Sequence, residues 1–481
     1  MFKKLINSTA LYMIAGALPS ISGMILLVPY TSYLSSSMYG ALSIYISFSL
    51  LTQILITYSI DNYVAMGYVH RKNDSAELSK FVGTLVFLIT IISFGCLFIF
   101  TLLGIPIFKL FKNDLFSFLP YGLMSLIFAI SNVYLKIYST LLIYKQEPFK
   151  YLLINLVNFI LILFLSVYGL KLYPNSLFAP ITARLIAGSV TLILVIIFLL
   201  KEFGIHFDKS QLKGVNKFCF PVFKYNIYSW IITYSNNYII LLLDKTTKVL
   251  GVFDFAMKCT LITEVFQNSF CSTINPKIYN LWSSKDRESP ATIKEEYEYH
   301  LMFSNLNILF ISFSIFFIPL IGEIIIKNKE YILYFKYLPY LMLPFLFRPL
   351  INIYTNIMYY YHETKVLPKM VIISALFQIA FMYFLYEFIH IWAAIIAALI
   401  SKIVQLIILK FSNKKNTFEF DFAKPLIIIP MIYSVLILIL FSGNYLNYYS
   451  GSLIQLIIVS VYILFTNKNL LMKLNRKISY K

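Results

Sequence analysis

The chain has 481 residues, is 59% hydrophobic and only 13% charged, and has a mean hydropathy of +0.78. A soluble globular domain is about 45–50% apolar and about 25% charged, so composition excludes that class and assigns an all-α polytopic membrane protein. Apolar runs of about 20 residues, in place of short alternating strands, exclude a β-barrel.

Fourteen spans are predicted, at 9–34, 39–60, 81–104, 116–144, 148–170, 178–200, 219–243, 250–273, 300–326, 333–361, 366–388, 392–411, 422–441 and 452–466. Lys3 and Lys4 before the first apolar run resemble a signal peptide. That run is too long and lacks a small-x-small cleavage site, so it reads as a retained span. With the N-terminus in the cytoplasm, 26 of the 40 Lys and Arg residues fall in inside segments or the span ends adjoining them and 7 outside, the other 7 lying deeper within spans. The positive-inside bias therefore places both termini in the cytoplasm. The net charge of +19 follows this topology and does not point to nucleic acid. Tyr residues near span ends fit interfacial belts.

The longest loops, 201–218 and 274–299, are cytoplasmic and too short for a soluble domain. No phosphate-cradling glycine loop is present, so no ATPase is encoded. Cys96, Cys219, Cys259 and Cys271 lie in apolar spans without a C-x-x-C pair, and the five His are scattered, so neither a metal site nor another cofactor is implied.

The most informative stretch runs from Phe218 to Thr273, two helices joined by the turn Asp244–Lys248. The first carries Asn226, Ser229, Thr233, Asn236 and Asn237 as one stripe. The second carries Asp254, Lys258, Glu264 and Asn268, which at ~100° per residue share about a third of the circumference. Asp254 and Lys258 stand four apart in the order that favours a pair on one helix. Ser43, Ser47, Gln53, Thr57 and Asp61 share a face of the second span, and Ser125, Asn132, Lys136, Ser139 and Thr140 one of the fourth. Arg184, Gly188 and Thr191 mark one side of the sixth. In the tenth, Arg348, Asn352, Thr355, Tyr359 and His362 form the cleanest stripe. A charge at the bilayer centre costs at least ~2.5 kcal/mol, so such residues face protein or water.

The in-span cations are Lys136, Arg184, Lys224, Lys258, Lys336, Arg348 and Lys402. Lys224 is placed to snorkel and Lys336 to anchor at an interface. In-span acids are fewer: Asp254 and Glu264, with Asp61 and Glu323 near span ends. This surplus suits an anionic substrate and disfavours a cation exporter. Pro19, Pro29, Pro339, Pro344 and Pro349 bend the first and tenth spans. A weak repeat relates Ser35-Ser-Ser-Met-Tyr-Gly40 to Lys245-Thr-Thr-Lys-Val-Leu-Gly251, six spans apart and so facing the same way.

Val28-Pro-Tyr30, Met38-Tyr-Gly40-Ala-Leu-Ser43 and Tyr58-Ser-Ile-Asp61, followed by Leu250-Gly-Val-Phe-Asp-Phe-Ala256 and Asn275-Pro276, carry a family likeness. The chain resembles bacterial polysaccharide flippases of the O-antigen (Wzx) type, in the multidrug/oligosaccharidyl-lipid/polysaccharide exporter superfamily. The resemblance implies two six-helix lobes in a V around a central cavity, with two appended C-terminal helices. The matching divisions are 1–205, 206–415 and 416–481. It implies a substrate of undecaprenyl-pyrophosphate-linked oligosaccharide, moved between inner-membrane leaflets during lipopolysaccharide or related biosynthesis. The implied partners are membrane lipids, a polysaccharide polymerase and a chain-length regulator. Two departures stand out: the first span has no charge, and Asn236-Asn237 occupy the place of a common acidic–basic pair.

On this reading the chain is not an enzyme. Arg348, Lys258, Arg184 and Lys136 are the candidates for anion contact, with Asn352 and Asn236 beside them. Asp61, Asp254 and Glu264 are the candidates for ion coupling or gating. The alternatives are an exporter of another lipid-linked polymer, such as a teichoic-type chain, and a multidrug or cation antiporter. A membrane polymerase is disfavoured because the outside loops are short and nearly free of acids.

Overall fold

The computed structural model describes residues 16, 18, 21–111, 113–244, 247–283, 289–361, 365–412, 423–442 and 447–466. Lys3, Lys4, Pro19, Lys245, the connector charges at 285–288, His362 and the C-terminal tail lie outside the described residues. Among the described residues every regular element is a helix. Two compact units divide the chain, Met1–Asp254 and Phe255–Lys481.

The first unit holds α1 (Ile21–Tyr33), α2 (Ser36–Thr57), α3 (Ile60–Arg71), α4 (Ser75–Lys109), α5 (Leu123–Tyr144), α6 (Pro148–Leu172), α7 (Phe178–Phe203) and α8 (Val215–Asp244). It also holds the start of α9 (Thr247–Ser283). The most apolar stretches of α2 and of the helix ending at Tyr144 are 67% buried, against 17% for α4 and α6. The first pair is therefore interior, while the second pair presents rows such as Phe94, Phe98 and Leu102 to the outside. Those rows suit lipid contact, because hydrocarbon solvates them as well as a core does.

The second unit takes the rest of α9, then α10 (Pro290–Ile325), α11 (Arg348–Tyr360), α12 (Val366–Ile389), α13 (Ile391–Ser412), α14 (Ala423–Ser442) and α15 (Tyr448–Thr466). Here α12 packs along α13, and α10 packs against α14 and α15. The Tyr433 hydroxyl ties that last group together, meeting Ser312 of α10 at 2.6 Å and accepting from Gln455 of α15.

Among the described residues nine helices are long and apolar enough to cross a membrane, and Ile21–Tyr33 and Leu426–Ser442 are shorter apolar helices. The remaining predicted spans, the seventh, eighth and tenth, fail that test for two reasons. α8 and α9 have ample length, at 30 and 37 residues, but are too polar. The tenth is not the single bent helix expected from its stripe. It is a chain of short turns, Lys329–Ile332, Leu333–Tyr337, Leu338–Leu341 and Leu343–Phe347, and only then α11. Pro339, Pro344 and Pro349 cause the breaks, since each removes the amide that would bond the carbonyl four residues earlier. Pro349 cannot bond the Phe345 carbonyl, which instead accepts from the Arg348 amide and from two side chains, Gln267 Nε2 at 2.9 Å and Asn307 Nδ2 at 3.1 Å. Irregular backbone is tolerated at membrane depth where neighbouring side chains satisfy it in this way.

The second span also differs from its expected form. α2 stops at Thr57, Tyr58 and Ser59 both have positive φ (47° and 60°), and α3 begins anew. Left-handed backbone costs a residue with a Cβ roughly 1–2 kcal/mol, so α8 must hold the break in place. The Tyr58 ring packs on Phe223 and its hydroxyl donates to Asn216. Asn226 Nδ2 donates to Ser59 Oγ at 3.1 Å, and the Cys219 thiol points to the Ser59 carbonyl at 3.7 Å.

The two copies of the internal repeat meet each other. A Cβ on Gly40 would overlap the Thr247 carbonyl oxygen and lie 2.8 Å from the Gly251 nitrogen. A Cβ on Gly251 would overlap the Ser36 carbonyl oxygen and lie 2.9 Å from the Gly40 nitrogen. Each offending carbonyl belongs to the residue four before the opposing glycine, so the N-termini of α2 and α9 cross with local two-fold symmetry. Helix backbones touch this closely only where side chains are absent.

Gly40→Ala and Gly251→Ala should each lower the thermal midpoint of the purified protein, by an overpacking cost of about 1–3 kcal/mol. The double substitution should cost less than the sum, because both remove one shared contact. An unshifted midpoint in both single variants would contradict the crossing.

Candidate functional site

The break between α2 and α3 sets Asp61 in the first turn of α3, on a separate helix from Ser43, Ser47, Gln53 and Thr57, with which it was expected to share a face. Asp61 is buried, and its Oδ2 pairs with Lys136 Nζ of α5 at 2.9 Å. Two residues assigned different roles from sequence, anion contact and ion coupling, are therefore partners. The pair is lopsided: the lysine side chain is 45% exposed and the aspartate 9%. Asp61 Oδ1 is buried with no hydrogen-bond partner.

Arg184 of α7 lines a cleft with Tyr45, Ser49, Ser125 and Phe128. The cleft measures about 10 Å³, roughly the room of one water. The guanidinium lies 5.9 Å from the Phe128 ring centre, within cation–π range. Its Nε is buried without a partner. Among the described residues no carboxylate pairs with it.

The stripe on α8 is largely spent on neighbouring helices. Asn237 Nδ2 donates to Asp254 Oδ1 at 2.9 Å, with both side chains buried. Asn236 is buried beside it. The Trp230 indole donates to the Ser47 carbonyl at 3.0 Å, and Ser47 Oγ meets the Tyr238 hydroxyl at 2.9 Å. Thr233 remains exposed. Lys258, one turn beyond Asp254, is half-buried, and Glu264 is exposed.

In the second unit, Arg348 is the first residue of α11 and donates to Asn268 Oδ1 of α9 at 3.2 Å. The expected stripe then divides. Asn352 is buried and donates to Asn275 Oδ1 at 2.9 Å, as does Asn356, and the Tyr279 hydroxyl donates to Asn356 Oδ1 at 3.1 Å. This carboxamide network joins α9 to α11, and sequence reading missed Asn275, Asn356, Gln267 and Asn307. The signal was present in part. Asn352 and Asn356 are one turn apart, and Asn268 and Asn275 are two turns apart.

Residues 5–282 match the family described as polysaccharide biosynthesis protein. The chain belongs to that family. No curated protein matches the sequence. Among solved structures, a lipid II flippase, MurJ, in an inward closed conformation superposes with a TM-score of 0.72 over 96% of this chain and 100% of its own, at 16% identity. An inward-facing multidrug resistance MATE family transporter of the MOP superfamily gives 0.65 over 83% of this chain and 96% of its own, at 13% identity. The multidrug transporter DinF-BH gives 0.56 over 86% and 95%, at 14% identity. At these identities the likeness is one of fold, and it establishes a multi-pass helical architecture.

The lopsided Asp61–Lys136 pair makes an asymmetric prediction. Lys136→Gln strands a buried carboxylate and should destabilise by roughly 3 kcal/mol, the scale for breaking a buried pair. Asp61→Asn leaves a half-exposed lysine that can reach water and should cost clearly less. The double variant should recover much of the Lys136→Gln loss. Thermal unfolding in detergent reads all three, and equal losses in the two single variants would contradict the assigned burial.

Proposed function

We propose that this chain is a flippase that moves an undecaprenyl-pyrophosphate-linked oligosaccharide repeat unit, of the O-antigen or a related surface polysaccharide, from the cytoplasmic to the periplasmic leaflet of the bacterial inner membrane. The observation that carries the reading is the unequal pairing of charges. Asp61 and Asp254 are engaged by Lys136 and Asn237, whereas among the described residues Arg184 and Arg348 have no carboxylate partner. Cations kept unpaired inside an apolar protein await a mobile anion, and a drug-cation carrier would need the reverse. The family match and the flippase named among the fold's relatives support the same choice.

In this reading Arg348, Arg184, Lys258 and Lys136 contact the diphosphate. Asn352 and Asn236 orient the groups around it, and Asp61, Asp254 and Glu264 couple or gate. Asp61 would release Lys136 as the anion arrives. The lobes are 1–205 and 206–415, with 416–481 appended and both termini cytoplasmic. A polymerase and a chain-length regulator act on the delivered unit, and the chain itself performs no bond chemistry. Export of another lipid-linked polymer rests on the same charges and differs only in the sugar.

A strain lacking the gene should accumulate complete lipid-linked repeat units on the cytoplasmic leaflet and lose surface polymer. Complementation with Arg348→Ala should leave protein in the membrane but restore less than a tenth of the polymer, given the worth of a charge-assisted contact (about 1.5–3 kcal/mol, or 10- to 100-fold). Repeat units that still reach the periplasmic face without being polymerised would assign a polymerase instead.

A further inference from the structure

α7 ends at Phe203, and the chain reaches α8 through the linker 204–214 at one end of the first unit. The linker is tied to the start of α4. The Asp208 amide donates to Thr84 Oγ1 at 2.9 Å, and the Phe207 ring packs on Phe87 with 5.1 Å between centres. The Asp208 carboxylate accepts from the Ser210 amide at 2.9 Å and so caps the short turn Lys209–Leu212. Further along, the Tyr63 hydroxyl donates to the Lys213 carbonyl at 3.4 Å. The segment is an ordered strap laid on α4.

Phe87 opens a row on that helix. Phe87, Ile91, Phe94, Phe98 and Leu102 recur at helical spacing on one face, and all are exposed. Lipid solvates such a face, so its first member stands at the edge of the hydrocarbon. Phe207 extends the row past the helix and is 57% exposed, and Ile205 beside it is 78% exposed. Large apolar side chains left open on a surface mark a partner. The partner of the row they continue is lipid.

Positive charge surrounds these two side chains. Lys201, Lys209, Lys213 and Lys217 are exposed, and so is Lys80, whose carbonyl accepts from Thr84 Oγ1 one turn along α4. Among the described residues none of these lysines forms an ion pair. The acids close by are engaged, Glu202 by Lys145 and Asp208 by its own turn. Lysines around apolar anchors complement negative headgroups over hydrocarbon: the stems lie along the apolar boundary and the ammonium groups reach the phosphates.

We propose that the linker 204–214, with Lys80, Lys201 and Lys217 beside it, is a docking surface for the headgroups of anionic phospholipids, anchored at the bilayer edge by Ile205 and Phe207. It goes beyond the flippase reading and holds whatever the chain transports.

The test uses Phe207→Trp in the full-length chain, reconstituted in phosphatidylcholine nanodiscs. Brominated phosphatidylglycerol and brominated phosphatidylcholine are titrated as fluorescence quenchers, and subtracting the signal of the chain without the new tryptophan isolates position 207. A lysine near an anionic surface is worth about fivefold in lipid affinity. Brominated phosphatidylglycerol should therefore quench at a mole fraction at least about fivefold below that of brominated phosphatidylcholine. Replacing Lys201, Lys209 and Lys213 together by Gln should bring the two curves together while the thermal midpoint holds, and added salt should narrow the gap. Lys171→Gln, in the last turn of α6 near the other end of α7, should leave the preference intact. Ile205→Trp repeats the measurement without touching the contact to Phe87. Equal quenching by the two lipids with all lysines present, or a preference that survives the triple substitution, overturns the proposal. Quenching by neither lipid places the patch in water or under protein and overturns it too. A phosphatidylglycerol signal displaced by equimolar farnesyl diphosphate assigns the surface to prenyl diphosphate lipids and overturns the choice of phospholipid.

Discussion

An unpaired charge or backbone group inside hydrocarbon is the cost around which this protein is arranged. Most of its polar side chains in the helices answer that cost locally. Gln267 and Asn307 bond the Phe345 carbonyl that Pro349 cannot, Asn237 covers the Asp254 carboxylate, and Lys136 neutralises Asp61. With those accounted for, the remainder becomes informative. Arg184 rests on a ring face and Arg348 on the Asn268 carboxamide, and among the described residues neither has a carboxylate partner. Structural need explains the first group of residues and leaves the second for a ligand.

The backbone makes a complementary contribution. At Gly40 and Gly251 two helix N-termini touch main chain to main chain, and each belongs to one copy of a repeated segment. At the far end of α2, after 22 residues, the chain breaks at Tyr58 and Ser59, held by Asn216, Cys219, Phe223 and Asn226 of α8. The close crossing fixes one end of α2 and the break fixes the other. Between them Ser47 is clasped by Trp230 and Tyr238 of the same α8. The polar stripe of α8 thus works chiefly as a joint, although members such as Thr233 stay exposed.

Much of this was legible in the sequence, because hydrocarbon imposes simple rules on length and polarity. Long apolar runs gave the helices, and the polarity of α8 and α9 marked them as special. The glycine repeat was visible as a pattern, although sequence could not reveal that its copies touch. Periodicity failed where backbone geometry intervened. The span from 333 to 361 was expected as one bent helix, but Arg348 starts a new one after Pro339 and Pro344, and Asn352 turns inward to Asn275. The face linking Thr57 to Asp61 assumed helical continuity through Tyr58 and Ser59, two residues with no glycine or proline to warn of a break. Pairing between distant helices, as in Asp61–Lys136, has no sequence period at all, so two candidates with separate roles proved to be one unit.

The central claim is that the unpaired cations serve transbilayer movement of a diphosphate-linked glycolipid. Its most direct test is reconstitution of the purified chain in liposomes containing a fluorescent polyprenyl-diphosphate oligosaccharide, probed with a membrane-impermeant sugar-cleaving enzyme. The account predicts that protein makes the inner-leaflet pool accessible, that Arg348→Ala leaves it protected, and that the monophosphate analogue moves poorly. A protected pool with the wild-type chain, across imposed proton and sodium gradients of either sign, would contradict the account.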